Sequence, residues 1–377
     1  MGVALILIEH GPGGPALFDG AREVVTARAV AEVLPALQRL DAARAGGMWV
    51  AGWIGYEAGL AFEPRLEHLM RGQGPLMAFG VYDGPQVFPE LKGSARLAGL
   101  EPCVTVAEYG AAFDRVQTYI AAGDCYQVNL TFPLKAQLVQ GTALDLYTAL
   151  RARQPVGFGA YVDLRRPDLD MPVLVSRSPE LFVRLDGKGR IETRPMKGTA
   201  PRDADPVEDA RLAVALRASG KDRAENLMIV DLLRNDISRI ARVGSVKVPE
   251  LFHVESYATV HQMVSRITGQ LVEPGSLALV MAALFPCGSI TGAPKLRAMQ
   301  IIAEVEPEPR GAYCGAIGWM GPDGAACFNV AIRTLTVQGD RVRLNVGGGV
   351  THDSTAAGEW EEALWKTRYV RGLLSPV

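Results

Sequence analysis

A lysine lies in the segment TRPMKGTAPR, residues 193–202, between a proline and a Gly-Thr step. This residue, Lys197, has three candidate roles: a solvated surface cation, a phosphate-binding group or a reacting amine. A reacting amine needs an environment that removes its proton, and a nearby acid that helps a leaving group depart. The acidic residues elsewhere in the chain therefore bear directly on the role of Lys197.

Acidic residues occur at helical spacing in the segment KDRAENLMIVDLLRND. Asp222 and Glu225 are three residues apart, which places both carboxylates on one face of a helix. Mg²⁺ prefers oxygen ligands, so this face could hold a divalent cation. The alternative is that the two acids stabilise a helix N-terminus through the helix dipole.

A second acidic group follows three glycines in GGGVTHDSTAAGEWEEALWKTR. The glycines, residues 347–349, end a predicted strand and would let backbone N–H groups approach an anion closely. Glu359, Glu362 and Lys366 then occur at positions i, i+3 and i+7, on one face of the next predicted helix. The pattern is typical of either a metal-and-carboxylate site or a surface ladder of salt bridges.

Further polar residues occur within apolar strands. Gln127 in GDCYQVNL could face a pocket, and Glu180 follows a Ser-Pro turn in SRSPELFV. A carboxylic acid in a partly apolar pocket has a raised pKa and can act as a general acid. Both residues could equally face solvent, and His261 in VHQMVS could be a core histidine. The segment PCGSITGAPKLRAMQII lacks the Gly-Lys-Ser/Thr order of a phosphate-binding loop.

Composition excludes several classes of function. The 377 residues carry a net charge of −2 and are 48% hydrophobic, as expected of a globular protein. This charge gives no electrostatic footprint for nucleic acid or an anionic membrane. The apolar N-terminal run is about six residues long, far below the roughly 20 of a membrane span. Five scattered cysteines without a CxxC pair argue against disulfides and structural zinc, so we expect a cytoplasmic protein.

The elements that must position these residues mix strand and helix patterns without regular alternation. Strands are predicted from VALILIE onward, with hairpins at ELFVRLD-GKG-RIETRPM and FNVAIRTLTV-QGD-RVRLNV. Consecutive hairpins with separated helices indicate an α+β fold with antiparallel sheets. The predicted helices are Ala107–Ala122, Pro206–Ala218, Arg223–Ile240, Leu277–Leu284, Pro294–Glu304 and Thr355–Leu373.

Most residues of chemical interest lie in the second part of the chain. The segment ARLAGLEPCVT, about residues 95–105, is interpreted as a connector. We therefore predict an N-terminal structural part, residues 1–100, and a catalytic core, residues 101–377, within one intertwined domain.

Taken together, the motifs resemble one family. GDCYQVNL, SPELF, RPMKGTAPR, AENLMIVDLLRND, TVHQMVS, GSITGAPKLRAMQII, RGAYCGAIGW, FNVAIRTL and GGGVTHDSTAAGEWEEALWK occur in the order found in the chorismate-utilising enzymes. The resemblance covers about residues 107–372, and AGWIGYEAG near the N-terminus resembles the amine-adding members. It implies two large antiparallel β-sheets packed face to face, with helices on the outside, as in anthranilate synthase.

The resemblance also implies roles for individual residues. Lys197 and Glu180 are the expected catalytic pair, with Glu180 as the acid that protonates a departing hydroxyl. A magnesium ion is expected on Glu225 and Glu362, with Asp222 and Glu359 close behind. The expected substrate-binding residues are Gln127, Thr199, His261, Ser289, Tyr313, Arg333, Gly347, Gly348, Gly349 and Lys366.

Two positions separate the members of the family. Water-adding members have a lysine base where this chain has Gln127, and glutamine cannot deprotonate water, which favours ammonia as the nucleophile. Anthranilate-forming and isochorismate-forming members typically have alanine at the position of Lys197, whereas aminodeoxychorismate-forming members have lysine. The resemblance thus favours 4-amino-4-deoxychorismate as the product, for 4-aminobenzoate and folate synthesis, and anthranilate is the alternative. Lys197 would form a covalent bond to chorismate or support the ring electrostatically.

The source of ammonia is expected to be a partner. The sequence has no glutamine amidotransferase pattern, and 377 residues leave no room for that domain. A separate glutamine amidotransferase subunit is therefore the expected partner. The Leu-Leu-Glu-Ser-type motif with which relatives bind tryptophan is not found, which argues against a tryptophan site.

Overall fold

The structure is a computed structural model that describes residues 4–72, 74–165, 171–257 and 260–374. The predicted strand VALILIE begins at Val3, which lies outside the described residues, as does Thr259 of TVHQMVS. The described part of the first run forms a strand at Leu5–Ile8. No helix in these ranges is both long and apolar enough to span a lipid bilayer.

Strands make up most of the described scaffold. Their bounds are β1 Leu5–Ile8, β2 Ala16–Phe18, β3 Glu23–Ala27, β4 Trp49–Ile54, β5 Met77–Tyr82, β6 Gln86–Val87, β7 Arg96–Pro102, β8 Gln127–Gln140, β9 Phe158–Asp163, β10 Val173–Ser178, β11 Leu181–Asp186, β12 Arg190–Arg194, β13 Met196–Pro201, β14 Lys247–Ser256, β15 Val260–Gln270, β16 Gly292–Ala293, β17 Ala316–Met320, β18 Ala325–Val330, β19 Thr334–Gln338 and β20 Arg341–Val350.

Helices follow the same chain order. Their bounds are α1 Val30–Ala45, α2 Val106–Ala121, α3 Ala143–Arg153, α4 Pro206–Ala218, α5 Gly220–Ser238, α6 Leu277–Leu284, α7 Lys295–Val305, α8 Ala356–Trp365 and α9 Arg368–Arg371, with short 3₁₀ helices at Tyr56–Phe62, Pro64–Leu69 and Gly288–Ile290. Thr105 caps α2, Asp205 caps α4 ahead of a proline, and Ser276 caps α6, each through a side-chain oxygen.

The described strands form two ten-stranded sheets whose paired strands are antiparallel. The first runs β16-β8-β20-β19-β10-β9-β1-β2-β6 with β7 beside β8, and the second runs β13-β15-β12-β11-β18-β17-β4-β5-β3 with β14 beside β15. Each sheet takes strands from both parts of the chain, as an intertwined arrangement requires. The division at residue 100 itself stays a prediction.

The core confirms face-to-face packing of the two sheets. Ile6 and Val162 of the first sheet share one buried cluster with Trp53 and Ile317 of the second. The outward faces are covered by helices, as where Leu37 of α1 packs with the second sheet. The predicted α+β class with helices on the outside is therefore confirmed.

Several predicted elements are wrong in detail. The predicted connector at 95–105 is largely strand β7, which pairs with β8. The arm FNVAIRTLTV is two strands, β18 in the second sheet and β19 in the first, because the chain turns between sheets at Arg333, where φ is 51°. The predicted helix 355–373 is two helices, since α8 ends at Trp365 and α9 begins at Arg368.

Candidate active site

Lys197 lies where three strands converge. It is carried by β13, and Gly198 after it has φ +83°, a conformation that favours glycine. A methyl group on Gly349 of β20 would place its carbon 2.9 Å from Lys197 Nζ and 2.6 Å from Gln127 Nε2. The lysine amine, the glutamine amide and the backbone of Gly349 therefore surround one small space, as the sequence predicts.

The surroundings of Lys197 favour the neutral amine. Burial lowers the pKa of Lys197 below that of a free lysine, and the positive charge of Lys366 acts in the same direction. The carboxylates of Glu225, Glu180 and Glu362 oppose this shift, and the net pKa remains lowered. Lys197 is therefore not a solvated surface cation, because its amine is removed from solvent and interacts with four charged side chains.

Glu180 lies on the turn between β10 and β11. Only 5% of it is exposed, and burial raises its pKa to about 7, although a hydrogen bond from Ser289 and the charge of Lys197 oppose the shift. Its backbone N–H donates to Ser178 Oγ at 3.3 Å, which fixes the turn. A carboxyl group with this pKa holds its proton about half of the time at neutral pH, as a general acid requires.

Gln127 and Glu180 carry buried polar atoms that point to a polar ligand. Gln127 is fully buried, and neither atom of its amide has a hydrogen-bond partner among the described residues. The same holds for Glu180 Oε1. Buried polar groups are nearly always hydrogen-bonded, so two such residues that interact with or lie beside Lys197 and carry unpartnered atoms are typical of a binding site.

The four predicted metal ligands come from two helices whose acidic side chains interact. Glu225 and Asp222 lie on α5, and their charges interact; Glu359 and Glu362 lie on α8. Burial raises the pKa of both Glu225 and Glu359, with repulsion from Glu362 adding to it, whereas the adjacent Lys366 lowers the pKa of Glu362.

The acidic group fits a hard divalent cation in its chemistry. Its donors are carboxylate oxygens, and its mutual repulsion would be relieved by a positive ion. Two glycines leave space beside these oxygens: a methyl carbon on Gly348 would lie 2.6 Å from Glu359 Oε2, and one on Gly198 would lie 2.8 Å from Asp222 Oδ1. Within the described residues, no three acidic, histidine or cysteine side chains are close enough to form a complete metal site by themselves.

The three glycines lie at the end of a strand, as the sequence predicts. Gly347, Gly348 and Gly349 lie within β20 and pair with Thr131, Leu130 and Asn129 of β8. Side chains are excluded there because α8, Gln127 and Lys197 approach the strand closely. Lys366 Nζ spans this contact, donating to the Gly347 carbonyl at 2.8 Å and lying 2.9 Å from Glu362 Oε1.

Two other predicted substrate-binding residues, Arg333 and Ser289, interact with Glu180, and a third, Tyr313, is anchored by Arg310. Arg333 is at the crossover between the sheets, and burial lowers its pKa, with Glu180 and Tyr369 opposing the shift. Tyr313 is 6% exposed, and its N–H donates to the Arg310 carbonyl at 3.2 Å. Ser289 is in the 3₁₀ helix Gly288–Ile290, and its hydroxyl opposes the rise in the pKa of Glu180 that burial causes.

His261 and Thr199 make their hydrogen bonds away from the other predicted residues. His261 Nε2 lies 2.9 Å from Asp209 Oδ1, and its Nδ1 lies 2.8 Å from Ser256 Oγ, so both ring nitrogens are occupied. Thr199 is exposed and donates to Gln262 Oε1 at 3.0 Å. Their roles at the substrate stay predictions.

Sequence reasoning did not single out Tyr369, whose hydroxyl is buried and has no partner among the described residues. This hydroxyl interacts with the charge of Arg333, so it belongs to the same region as Glu180. Its spacing of three residues from Lys366 within the predicted helix 355–373 was an available signal.

Comparison with known proteins agrees with this geometry. Residues 85–372 match the family described as chorismate binding enzyme. The aminodeoxychorismate synthase component 1 of Escherichia coli is 45% identical over 267 residues, which cover 71% of this chain and 57% of that protein. The Klebsiella aerogenes protein of the same name is 40% identical over 351 residues, covering 85% and 75%.

Similarity extends to proteins with other products. The anthranilate synthase component 1 of Streptomyces coelicolor is 40% identical over 265 residues, covering 70% of this chain and 51% of that protein. This chain thus spans little more than half the length of several curated relatives.

Solved structures show the same fold. Anthranilate synthase component I from Streptococcus pneumoniae superposes with a TM-score of 0.77 at 25% identity, covering 97% of this chain and 90% of that one. The menaquinone-specific isochorismate synthase from Escherichia coli gives 0.77 at 18% identity, covering 99% and 89%. The fold, the order of the motifs and the family match agree, and the chain belongs to the chorismate-binding enzyme family.

Proposed function

We propose that this protein converts chorismate and ammonia to 4-amino-4-deoxychorismate and water. The observation that carries the proposal is the placement of Lys197: its amine has a lowered pKa, lies beside the Gln127 amide at Gly349, and interacts with the charge of the acid Glu180. Formation of anthranilate would need no lysine nucleophile, because ammonia would attack C2 of the ring directly.

In the proposed mechanism, Lys197 acts as a nucleophile. Neutral Nζ attacks C2 of chorismate, the ring double bonds shift, and the C4 hydroxyl leaves as water with a proton from Glu180. Ammonia then attacks C4, the double bonds shift back, and the C2–N bond to Lys197 breaks. Glu180 regains a proton from the incoming ammonium, so atoms and protons balance, and the enolpyruvyl group is retained.

Gln127 has two proposed roles: it leaves water unactivated, and it hydrogen-bonds to the substrate. Its amide cannot remove a proton from water, so water is not activated beside the ring. Its unpartnered N–H and carbonyl can hydrogen-bond to substrate, which would satisfy both buried atoms on binding.

Magnesium is the proposed cofactor. Glu225 and Glu362 would hold the ion, with Asp222 and Glu359 behind them, and its charge would neutralise a substrate carboxylate. Tyr313, Arg333, Lys366 and the backbone of residues 347–349 would bind the carboxylates of chorismate. Lys366 Nζ lies at the Gly347 carbonyl of β20, and the buried guanidinium of Arg333 interacts with Glu180.

The proposed partner is a separate glutamine amidotransferase subunit that supplies ammonia. The similar proteins named component 1 support a second component. The five cysteines are free thiols, which fits the proposed location in the reducing cytoplasm.

A product assay tests the proposal. The purified chain is given chorismate, Mg²⁺ and ammonium without any partner, and the products are separated by chromatography. We expect 4-amino-4-deoxychorismate without release of pyruvate. Formation of anthranilate with pyruvate would refute the proposal and establish the alternative product.

A further inference from the structure

A buried ionic cluster lies beside the candidate site without contributing to the proposed chemistry. It consists of Glu57, Arg310, Glu306 and Thr131, and we call it the arginine cluster. Arg310 and Glu306 are each only 4% exposed. Their side chains form a two-point ion pair, with Arg310 Nε donating to Glu306 Oε2 at 2.9 Å and Nη2 to Oε1 at 2.7 Å.

The guanidinium of Arg310 also holds two segments that carry predicted site residues. Nη1 donates to the Ile290 carbonyl at 2.9 Å, and Nη2 donates to the Asn129 carbonyl at 2.6 Å. Ile290 directly follows Ser289, the partner of Glu180. Asn129 is two residues after Gln127 on β8, so their side chains leave the strand on the same face.

The backbone of Arg310 holds a third segment. Its carbonyl accepts a hydrogen bond from the N–H of Tyr313 at 3.2 Å. One buried residue therefore fixes the backbone next to Gln127, Ser289 and Tyr313, which come from three separate parts of the chain.

Glu57 fixes Arg310 in turn. Its carboxylate accepts from two successive backbone groups, with Arg310 N–H at 2.7 Å from Oε1 and Gly311 N–H at 2.9 Å from Oε2. Gly311 has φ +61°, and its carbonyl accepts from Tyr56 N–H at 2.8 Å, so the turn is held from both sides. A carboxylate on consecutive N–H groups is a strong, directional anchor.

We infer that Glu57, in the N-terminal motif AGWIGYEAG, is a positioning residue for chorismate: it holds Arg310, which aligns the segments of Gln127, Ser289 and Tyr313. The inference rests on the proposed function, which places those three residues around the substrate. The role of the motif AGWIGYEAG is thus to align the site through Arg310, and Glu57 itself contacts no reacting atom.

The test is the affinity for chorismate of the full chain with Mg²⁺ and without ammonia, measured by titration calorimetry on wild type and Glu57→Gln. Each protein in the calorimeter, the wild-type reference included, carries Lys197→Ala so that no covalent adduct forms. Glutamine keeps the size but loses one of the two acceptors, so we expect the dissociation constant to rise about tenfold. Thermal unfolding is recorded alongside, so that stability and affinity are separated.

A matched control is Asp41→Asn. Asp41 likewise accepts from two backbone N–H groups, Leu277 at 2.7 Å and Ala278 at 3.1 Å, but it joins α1 to α6 away from the site. We expect this variant to lose a comparable amount of thermal stability while its chorismate dissociation constant stays within about twofold of wild type. Equal affinities for wild type and Glu57→Gln would overturn the inference.

If Glu57→Gln does not fold, the chorismate affinity of Thr131→Val tests the inference instead. This substitution removes only the hydroxyl that donates to Glu306 Oε1 at 2.9 Å, and we expect affinity to weaken about threefold. Unchanged affinity in that variant would overturn the inference. Wild type that binds chorismate but forms no 4-amino-4-deoxychorismate would refute the proposed product, and a tenfold loss in Glu57→Gln would still support the positioning role.

Discussion

Two groups of buried charges meet along β8 and differ in how their polar atoms are paired. Around Arg310, each side-chain nitrogen of the arginine and each carboxylate oxygen of Glu57 and Glu306 has a hydrogen-bond partner. Around Lys197, the Gln127 amide and Glu180 Oε1 have none within the described residues. A cluster whose polar atoms are all hydrogen-bonded holds the backbone in place. A cluster with unpartnered polar atoms can bind a ligand and react with it.

The two clusters also differ in what the raised pKa of a buried glutamate means for function and for stability. Burial raises the pKa of both Glu57 and Glu180. Backbone N–H groups of Arg310 and Gly311 oppose the shift at Glu57, whereas Glu180 has one unpartnered oxygen and reaches a pKa of about 7. Replacing residues in the two clusters should therefore have opposite consequences. Loss of charge around Lys197 should cost activity, and loss of charge around Arg310 should first cost stability.

The largest effect is expected for Lys197→Ala. Without the nucleophile, kcat for 4-amino-4-deoxychorismate should fall on the order of 10⁴-fold, while the fold remains intact. The measurement is the rate of product formation with ammonium. Lys188→Ala, an exposed lysine in the turn between β11 and β12, serves as control and should leave the rate unchanged. Full activity of Lys197→Ala would refute the nucleophilic role.

The next effect is expected for Glu306→Gln in the arginine cluster. It leaves Arg310 as a buried charge without its partner, which should lower the free energy of unfolding by about 3–5 kcal/mol. Urea denaturation measures the change. Glu308→Gln removes an exposed carboxylate that pairs with Arg343, and should cost about 0.5 kcal/mol or less. Equal stabilities of these two variants would contradict the structural role of the cluster.

A smaller effect, of opposite sign, is expected for Glu180→Gln. The folded pKa of about 7 exceeds the ordinary 4.5, so the stability that Glu180 contributes is present below pH 4.5 and lost as the pH rises through 7. Glutamine resembles the protonated acid, so the variant should be more stable than wild type above pH 7, by up to about 3 kcal/mol. Denaturation at several pH values measures the difference, which should vanish below pH 4.5.

The same variant tests the acid directly. Its kcat should fall about 10²–10⁴-fold, because no proton can be given to the C4 hydroxyl. In wild type, activity should decline as the pH rises through about 7, since Glu180 then loses its proton. A stable Glu180→Gln variant with undiminished activity would assign the proton transfer to another group.

The smallest effect is expected for Gly349→Ala. The added methyl carbon would lie 2.6 Å from Gln127 Nε2 and 2.9 Å from Lys197 Nζ, so both side chains must shift. We expect kcat/KM to fall about tenfold. Gly110→Ala on α2 is the control, since nothing lies within 4 Å of its added carbon and the change should leave kcat/KM unaffected.

Local patterns in the sequence were sufficient for part of the fold. The helices Pro206–Ala218 and Leu277–Leu284 have the predicted bounds, because Asp205 and Ser276 cap them and the apolar spacing is clear. Helices α1 and α3 were not predicted, and neither was the transfer between sheets at Arg333, which depends on how two distant sheets pack.

The site shows the same limit. The resemblance to the chorismate-utilising family predicted the neighbours of Lys197, and the structure brings Gln127, Glu180, Glu225 and Gly349 to it. It gave no sign of the arginine cluster, because Glu57 and Arg310 are 253 residues apart in the chain. The spacing of four residues between Glu306 and Arg310 was its single local signal.

The central claim is that Lys197 reacts covalently with the substrate. The most direct measurement is the intact mass of the protein after rapid quenching with chorismate and Mg²⁺ in the absence of ammonia, followed by peptide mapping. The account predicts an adduct on Lys197 with the mass of chorismate less one water, which disappears when ammonium is added. Unmodified Lys197 in a preparation that forms 4-amino-4-deoxychorismate at full rate would contradict it.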